Sequence, residues 1–213
     1  MVIEKLKIGI VISTIREGRF GDKPARWILR MASERTDLDF DIVDLRDYPL
    51  PLFEEAADPA FAPPKNEVAL HWGEKMAEFD GYLFVTAEYN RSIPGVLKNA
   101  LDHTYPEFKK KPAAFVGYGS VGGARAIEQL RLICIELQMA PTRRAVHTGM
   151  EPLLGVLRDG NKLSDFDFLN KNAVATLDEL SWWARTLKAG RAEEAKTDEE
   201  IEEVLAFWFG KEG

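Results

Sequence analysis

Five short apolar runs, Leu6–Ile12, Phe40–Leu45, Gly81–Val85, Ala113–Val116 and Arg144–His147, alternate along the chain with segments of helical period. That alternation constrains the fold more than any other feature, because strands separated by helices can pair in parallel only through βαβ crossovers. Ala25, Ile28, Leu29 and Ala32 recur at the spacing of one helix face, as do Ile127, Leu130, Cys134 and Leu137. Right-handed crossovers then make a doubly wound α/β sheet of five strands the natural architecture. A chain of 213 residues suits one well-buried core, and no stretch reads as a linker. A single domain over residues 1–213 is expected, with a helical extension at about 197–209.

The polar segments after three of the strands carry the chemistry. In such a sheet, ligands bind outside the carboxyl ends of the strands, at the point where the strand order reverses. The first segment is Ser13-Thr-Ile-Arg-Glu-Gly-Arg-Phe-Gly21. Thr14 offers a hydroxyl, Arg16 and Arg19 offer charge, and Gly18 and Gly21 leave backbone N–H groups accessible beside a helix start, a set suited to an anion. The second runs from Thr86 to His103, where Pro94 favours a first helical turn. The third, Gly117-Tyr-Gly-Ser-Val-Gly-Gly123, presents backbone without side chains, so a flat ring can approach closely. It also reads as an imperfect nucleophile elbow centred on Ser120. Against that, Tyr118 stands at the first glycine position, and between Ser120 and His147, the only later histidine, there is no aspartate.

Other classes are excluded by composition. A net charge of −7 argues against a nucleic-acid partner. No run approaches the ~18 apolar residues of a membrane span, and with a strand read from Leu6 no signal peptide is expected. The lone Cys134 can form no intramolecular disulfide and fits a cytoplasmic setting, where on a helix it reads as a small buried apolar residue. His71, His103 and His147 lack metal-ligand spacing, and no P-loop motif occurs. Asp47–Lys65 holds five of the eleven prolines and reads as a stiff irregular excursion, a lid or a dimer contact. Thr197-Asp-Glu-Glu200 reads as a capping box opening a terminal helix with Ile201, Val204, Leu205 and Trp208 on one side, widened by Phe207 and Phe209. The Trp182-Trp183 pair reads as core or subunit contact, and Arg125 as a cation for a substrate phosphate or a surface ion pair.

The second loop, Glu88-Tyr-Asn-Arg-Ser-Ile-Pro94 followed by Leu97-Lys-Asn-Ala-Leu-Asp102, resembles the NAD(P)H-dependent FMN reductase family, which includes quinone, azo-dye and chromate reductases. The resemblance covers roughly the first three-quarters of the chain. Ser13, Thr14 and Ala87 depart from the family's usual Gly, Ser and Pro. The family implies a flavodoxin-like sheet of order 2-1-3-4-5, which sets the loops after strands 1, 3 and 4 side by side. Flavodoxins proper use a neutral first loop, so the two arginines favour the reductase branch.

From the resemblance, FMN is expected as a non-covalent cofactor, with NADPH or NADH as co-substrate and a small-molecule electron acceptor. No acid–base residue is needed, because the cofactor carries the chemistry. The implied binding residues are Thr14, Arg16, Arg19, Phe20 and Gly21 at the phosphate, Glu88, Tyr89, Asn90 and Ser92 at the ring edge, and Gly119, Ser120, Val121 and Gly122 at the third wall. Main-chain groups of Glu88, Tyr89 and Asn90 would meet the pyrimidine end. Tyr89 supplies a planar ring, although a core or interface aromatic would read the same, and Ser92 braces the loop. The family also implies a homodimer or homotetramer. A non-enzymatic electron carrier or a flavin-binding sensor on the same scaffold is the alternative.

Overall fold

The computed structural model describes residues 5–209, with residues 199–209 described as helical backbone alone. Strands β1 (Leu6–Ile12), β2 (Leu38–Asp44), β3 (Gly81–Ala87), β4 (Pro112–Tyr118) and β5 (Ala140–Thr148) form one parallel sheet in the order β2-β1-β3-β4-β5. β3 and β4 are buried at every position, as strands covered on both faces must be. Their side chains alternate between two cores. Leu83, Val85, Ala114 and Val116 join α1 (Asp22–Ser33) and α6 (Asp167–Phe209) on one face. Tyr82, Phe84, Ala113 and Phe115 face α2 (Glu67–Ala77), α3 (Gly95–Asp102) and α4 (Ala124–Glu136) on the other. The helix faces read from the sequence are the packed ones: Ala25, Ile28, Ala32, Ile127, Leu130, Cys134 and Leu137 are buried, and Leu29 is partly buried against the core.

Four of the five strands differ in their bounds from the sequence reading: β3 runs on to Ala87 and β4 spans Pro112–Tyr118. β2 starts earlier and gives way at Leu45 to a 3-10 turn, because the Asp44 carboxylate accepts from the Arg46 amide. β5 starts at Ala140, ahead of the apolar run; it is an edge strand, which tolerates Pro141 and exposed arginines. Between β5 and α6 lies α5 (Met150–Arg158), which the sequence reading did not single out. The capping box at Thr197 is also corrected. α6 runs unbroken from Asp167 to Phe209, and the Thr197 hydroxyl donates to the Glu193 carbonyl at 3.2 Å. Bonded back one turn in this way, threonine continues a helix instead of starting one. The apolar side assigned to Ile201, Val204, Leu205, Phe207, Trp208 and Phe209 lies outside the described side chains.

The stretch 47–65 is irregular, as its prolines dictate, and it is pinned by α3. Asn99 donates to the Pro51 carbonyl at 2.8 Å and accepts from the Phe53 amide at 2.9 Å, and His103 Nε2 lies 3.0 Å from the same Pro51 carbonyl. Two residues of the second-loop motif therefore hold the excursion in place.

Candidate functional site

The parallel registers Ile12↔Val85 and Val85↔Val116 bring β1, β3 and β4 to the same edge. Each following loop begins by extending the ladder: Ser13 donates its amide to Val85, Glu88 to Tyr118, and Gly119 to Thr148, at 3.1, 3.1 and 3.3 Å. The three loops thus leave the sheet side by side along one edge. The loops after β1, β3 and β4 each leave a large apolar side chain in water, Ile15, Tyr89 and Val121, at 50%, 38% and 47% exposure, and Met150, which opens α5 just after β5, is 45% exposed. Apolar groups collected at a strand edge rimmed by polar loops mark a binding surface. Met150 was missed because the apolar Met opening a helix gives no sequence signal.

The first loop divides its charges. Arg16 is exposed, and the amides of residues 15–18 donate to no acceptor among the described residues. The Ile15 and Arg16 carbonyls are taken by Arg46 at 3.1 and 2.6 Å. What the loop offers outward is therefore N–H groups and the Arg16 guanidinium, the donor set of an anion site, with the exposed Glu17 carboxylate beside them. Arg19 turns inward. All five of its N–H groups are engaged, by Asp22, Asp44 and the Thr14 carbonyl. Burial works against its charge, but the bonds to Asp44 and Asp22 outweigh it and raise its pKa. The Thr14 hydroxyl is buried too, 3.2 Å from the Tyr118 hydroxyl, whose pKa burial pushes up to about 12. Phe20 leans on the Tyr118 ring at 5.2 Å, and at Gly21 a Cβ would meet that hydroxyl at 3.0 Å. Of the five first-loop candidates, the structure brings Arg16 to the surface and builds the others into the wall.

In the second loop, Tyr89 and Ser92 exchange both main-chain hydrogen bonds at 3.0 Å. Asn90 and Arg91 between them have φ of 48° and 70°, the left-handed pair of a type I′ turn. The Glu88 and Tyr89 amides are thus taken up inside the fold, leaving the Glu88 carbonyl and the main chain of Asn90 for a ligand. Ser92 braces the loop through its main chain. The Glu88 carboxylate, 4% exposed, pairs with Arg125; of the two readings of Arg125, the ion pair is what forms.

The third loop turns at Gly119, Gly122 and Gly123, with φ of 149°, 68° and 69°. Gly123 is the tightest: a Cβ there would lie 2.7 Å from the Tyr118 amide. Ser120 and Val121 are exposed at the tip. Ser120 lacks the strained backbone of a nucleophile elbow, since the non-glycine residues with positive φ among those described are Asn90, Arg91, Lys110 and Gln138. His147 faces the Gly122 carbonyl with Nδ1 at 3.1 Å. Among the described residues, no three His, Cys, Asp or Glu side chains gather as metal ligands, and no helix is long and apolar enough to cross a membrane. A cavity of about 400 Å³ between the Pro-rich segment and α2, lined by Phe61, Pro63, Leu70 and His103, takes in none of the candidate binding residues.

Comparison with known proteins agrees with this geometry. A family model described as NADPH-dependent FMN reductase matches residues 6–151. The chain is 36% identical over 144 residues to an NAD(P)H-dependent FMN reductase of Schizosaccharomyces pombe, covering 66% of this chain and 72% of that protein. It is 38% identical over 141 residues to a 2-hydroxy-1,4-benzoquinone reductase of a Burkholderia species, covering 63% and 73%. Among solved structures, the flavoenzyme NAD(P)H:(acceptor) oxidoreductase FerB of Paracoccus denitrificans superposes with a TM-score of 0.64 at 24% identity, covering 85% of this chain and 98% of that one. At that identity the likeness is one of fold.

Proposed function

The chain belongs to the NADPH-dependent FMN reductase family, and we propose that it binds FMN without a covalent link and reduces a second acceptor at the expense of NADPH or NADH. The observation that carries this reading is the first loop, where exposed Arg16 sits among amides that have no acceptor among the described residues. The phosphate would lie there. Asn90 and the Glu88 carbonyl would meet the polar edge of the ring, while Tyr89, Gly119, Ser120, Val121 and Gly122 would border its faces. Thr14, Arg19, Phe20, Gly21 and Ser92 act behind these groups and hold them in position. When bound, FMN would supply the redox chemistry, namely hydride transfer from the nicotinamide to flavin N5 and electron transfer onward to the acceptor.

What this chain contributes is placement. The glycine-lined third loop admits a ring without side-chain clash, and the type I′ turn keeps the second loop from collapsing into the space. An open ring face accepts two substrates in turn, so ping-pong kinetics are expected. Relatives named as quinone or flavin reductases support a quinone or free flavin as second acceptor. Leu52 and Phe61 stand 82% and 89% exposed on the Pro-rich segment, which favours a homodimer or homotetramer covering them. A cytoplasmic setting accords with the single buried Cys134.

Titration separates the phosphate from the ring. Charge-assisted hydrogen bonds contribute ~1.5–3 kcal/mol each, so Arg16→Ala should weaken FMN about tenfold or more and leave riboflavin nearly unchanged. Equal losses for both ligands would remove the phosphate from the first loop. An electron carrier would bind FMN but leave NADPH unoxidised, and a sensor would bind flavin weakly.

A further inference from the structure

α4 begins on a residue that cannot cap it. Its N-cap is Gly123, in a left-handed conformation at φ 69° and without a side chain to accept the first-turn amides. Helices leave those N–H groups without intrahelical partners and favour negative charge beside them. Glu88, 37 residues before Arg125 in the chain, supplies both. One carboxylate oxygen accepts from the Arg125 amide at 3.2 Å, and the other accepts from Arg125 Nε at 2.5 Å and pairs with a terminal nitrogen of the same guanidinium. The Glu88 Cβ also lies where it would meet a Cβ on Gly119 at 3.4 Å. A single side chain at the end of β3 thus lies beside the third loop, caps the helix behind it and neutralises the cation at its start.

We propose that the Glu88 side chain is a positioning residue that sets the width and the charge of the ring slot by clamping Arg125 and α4. The second and third loops then move as one jaw, with no net charge on its inner wall. This inference rests on the flavin reading above. It assigns Glu88 two functions: its carbonyl faces the ligand, and its carboxylate works behind the wall. Because the carboxylate is almost out of water, removing Arg125 leaves it uncompensated, whereas removing both ends does not.

The test is a double-mutant cycle of Glu88→Gln, Arg125→Met and the combined variant, each titrated with FMN and riboflavin by flavin fluorescence. Each single change should weaken both ligands by the same factor, about tenfold, and the combination should recover most of the loss. The midpoint potential of bound FMN should rise in Glu88→Gln, where the Arg125 charge is released, and fall in Arg125→Met. In the apoprotein, Glu88→Ala should speed hydrogen exchange at the Arg125 amide. Additive losses with an unmoved potential, or loss of FMN with riboflavin binding retained, would overturn the clamp. Wild-type protein that took up no flavin would sink the functional reading instead, and the exchange rate in the apoprotein would still decide the clamp.

Discussion

Replacing Arg19 and Arg16 by alanine, one at a time, should separate stability from ligand affinity. The Arg19 side chain is 2% exposed and pairs with Asp44 and Asp22, which are 21% and 38% exposed. Breaking a fully buried pair costs about 3–5 kcal/mol, but both carboxylates here regain water, so about 2–3 kcal/mol is the better figure. For a chain of this size, each kcal/mol moves Tm by about 2–4 °C, so Arg19→Ala should lose about 4–12 °C. Arg16→Ala, on the exposed side of the same loop, should lose almost none. The pH dependence supplies a second check. Burial would raise the Asp44 pKa, yet the bonds from Arg19 and the Arg46 amide lower it from 3.8. A depressed carboxylate contributes stability above its unfolded pKa, and that contribution disappears as pH falls through the folded value. The stability gap between wild type and Arg19→Ala should therefore be widest near neutrality and narrow below about pH 4. Urea denaturation from pH 3 to 7 measures it. If Arg19→Ala kept its Tm and lost FMN affinity as steeply as Arg16→Ala, the assignment of Arg19 to the wall would be wrong.

Other expected outcomes follow from the same geometry. Ser120→Ala should keep most NADPH-oxidising activity, since the third loop acts through its backbone; loss of an esterase activity present in wild type would restore the nucleophile reading. Asn99→Ala should release the Pro-rich segment and speed limited proteolysis within residues 47–65 while the sheet stays intact, and an unchanged cleavage pattern would show that Asn99 does not pin it. Burial pushes the Lys111 ammonium, which donates to the Ala77 carbonyl at the end of α2, down to about 8 from the usual 10.5. The unfolded chain then binds more protons between those values, so wild-type stability relative to Lys111→Met should rise from pH 8 to 10. A gap that stays flat across that range would refute the burial argument.

The parts of this molecule readable from sequence are those whose cause is local. β3 and β4 are continuous apolar runs because both of their faces are covered, and the glycines of the third loop announce a close approach that the Tyr118 amide makes real. Partners set by the tertiary fold could not be read. Arg19 looks like a loop cation until β1–β2 pairing brings Asp44 beside it, 25 residues away. Glu88 looks like a main-chain ligand until α4 presents an uncapped start. Thr197 carries the residues of a cap, but its hydroxyl finds the Glu193 carbonyl and the helix continues. β5 hid its first half because an edge strand tolerates Pro141 and an exposed Arg143, neither of which signals a strand.

The visible absorption spectrum of the purified protein with FMN, before and after anaerobic addition of NADPH or NADH, tests the central claim most directly. A perturbed yellow flavin spectrum that bleaches on addition of the nucleotide and returns with quinone or free flavin is the predicted result. A spectrum identical to that of free FMN, or a bound flavin that neither nucleotide bleaches, would contradict it.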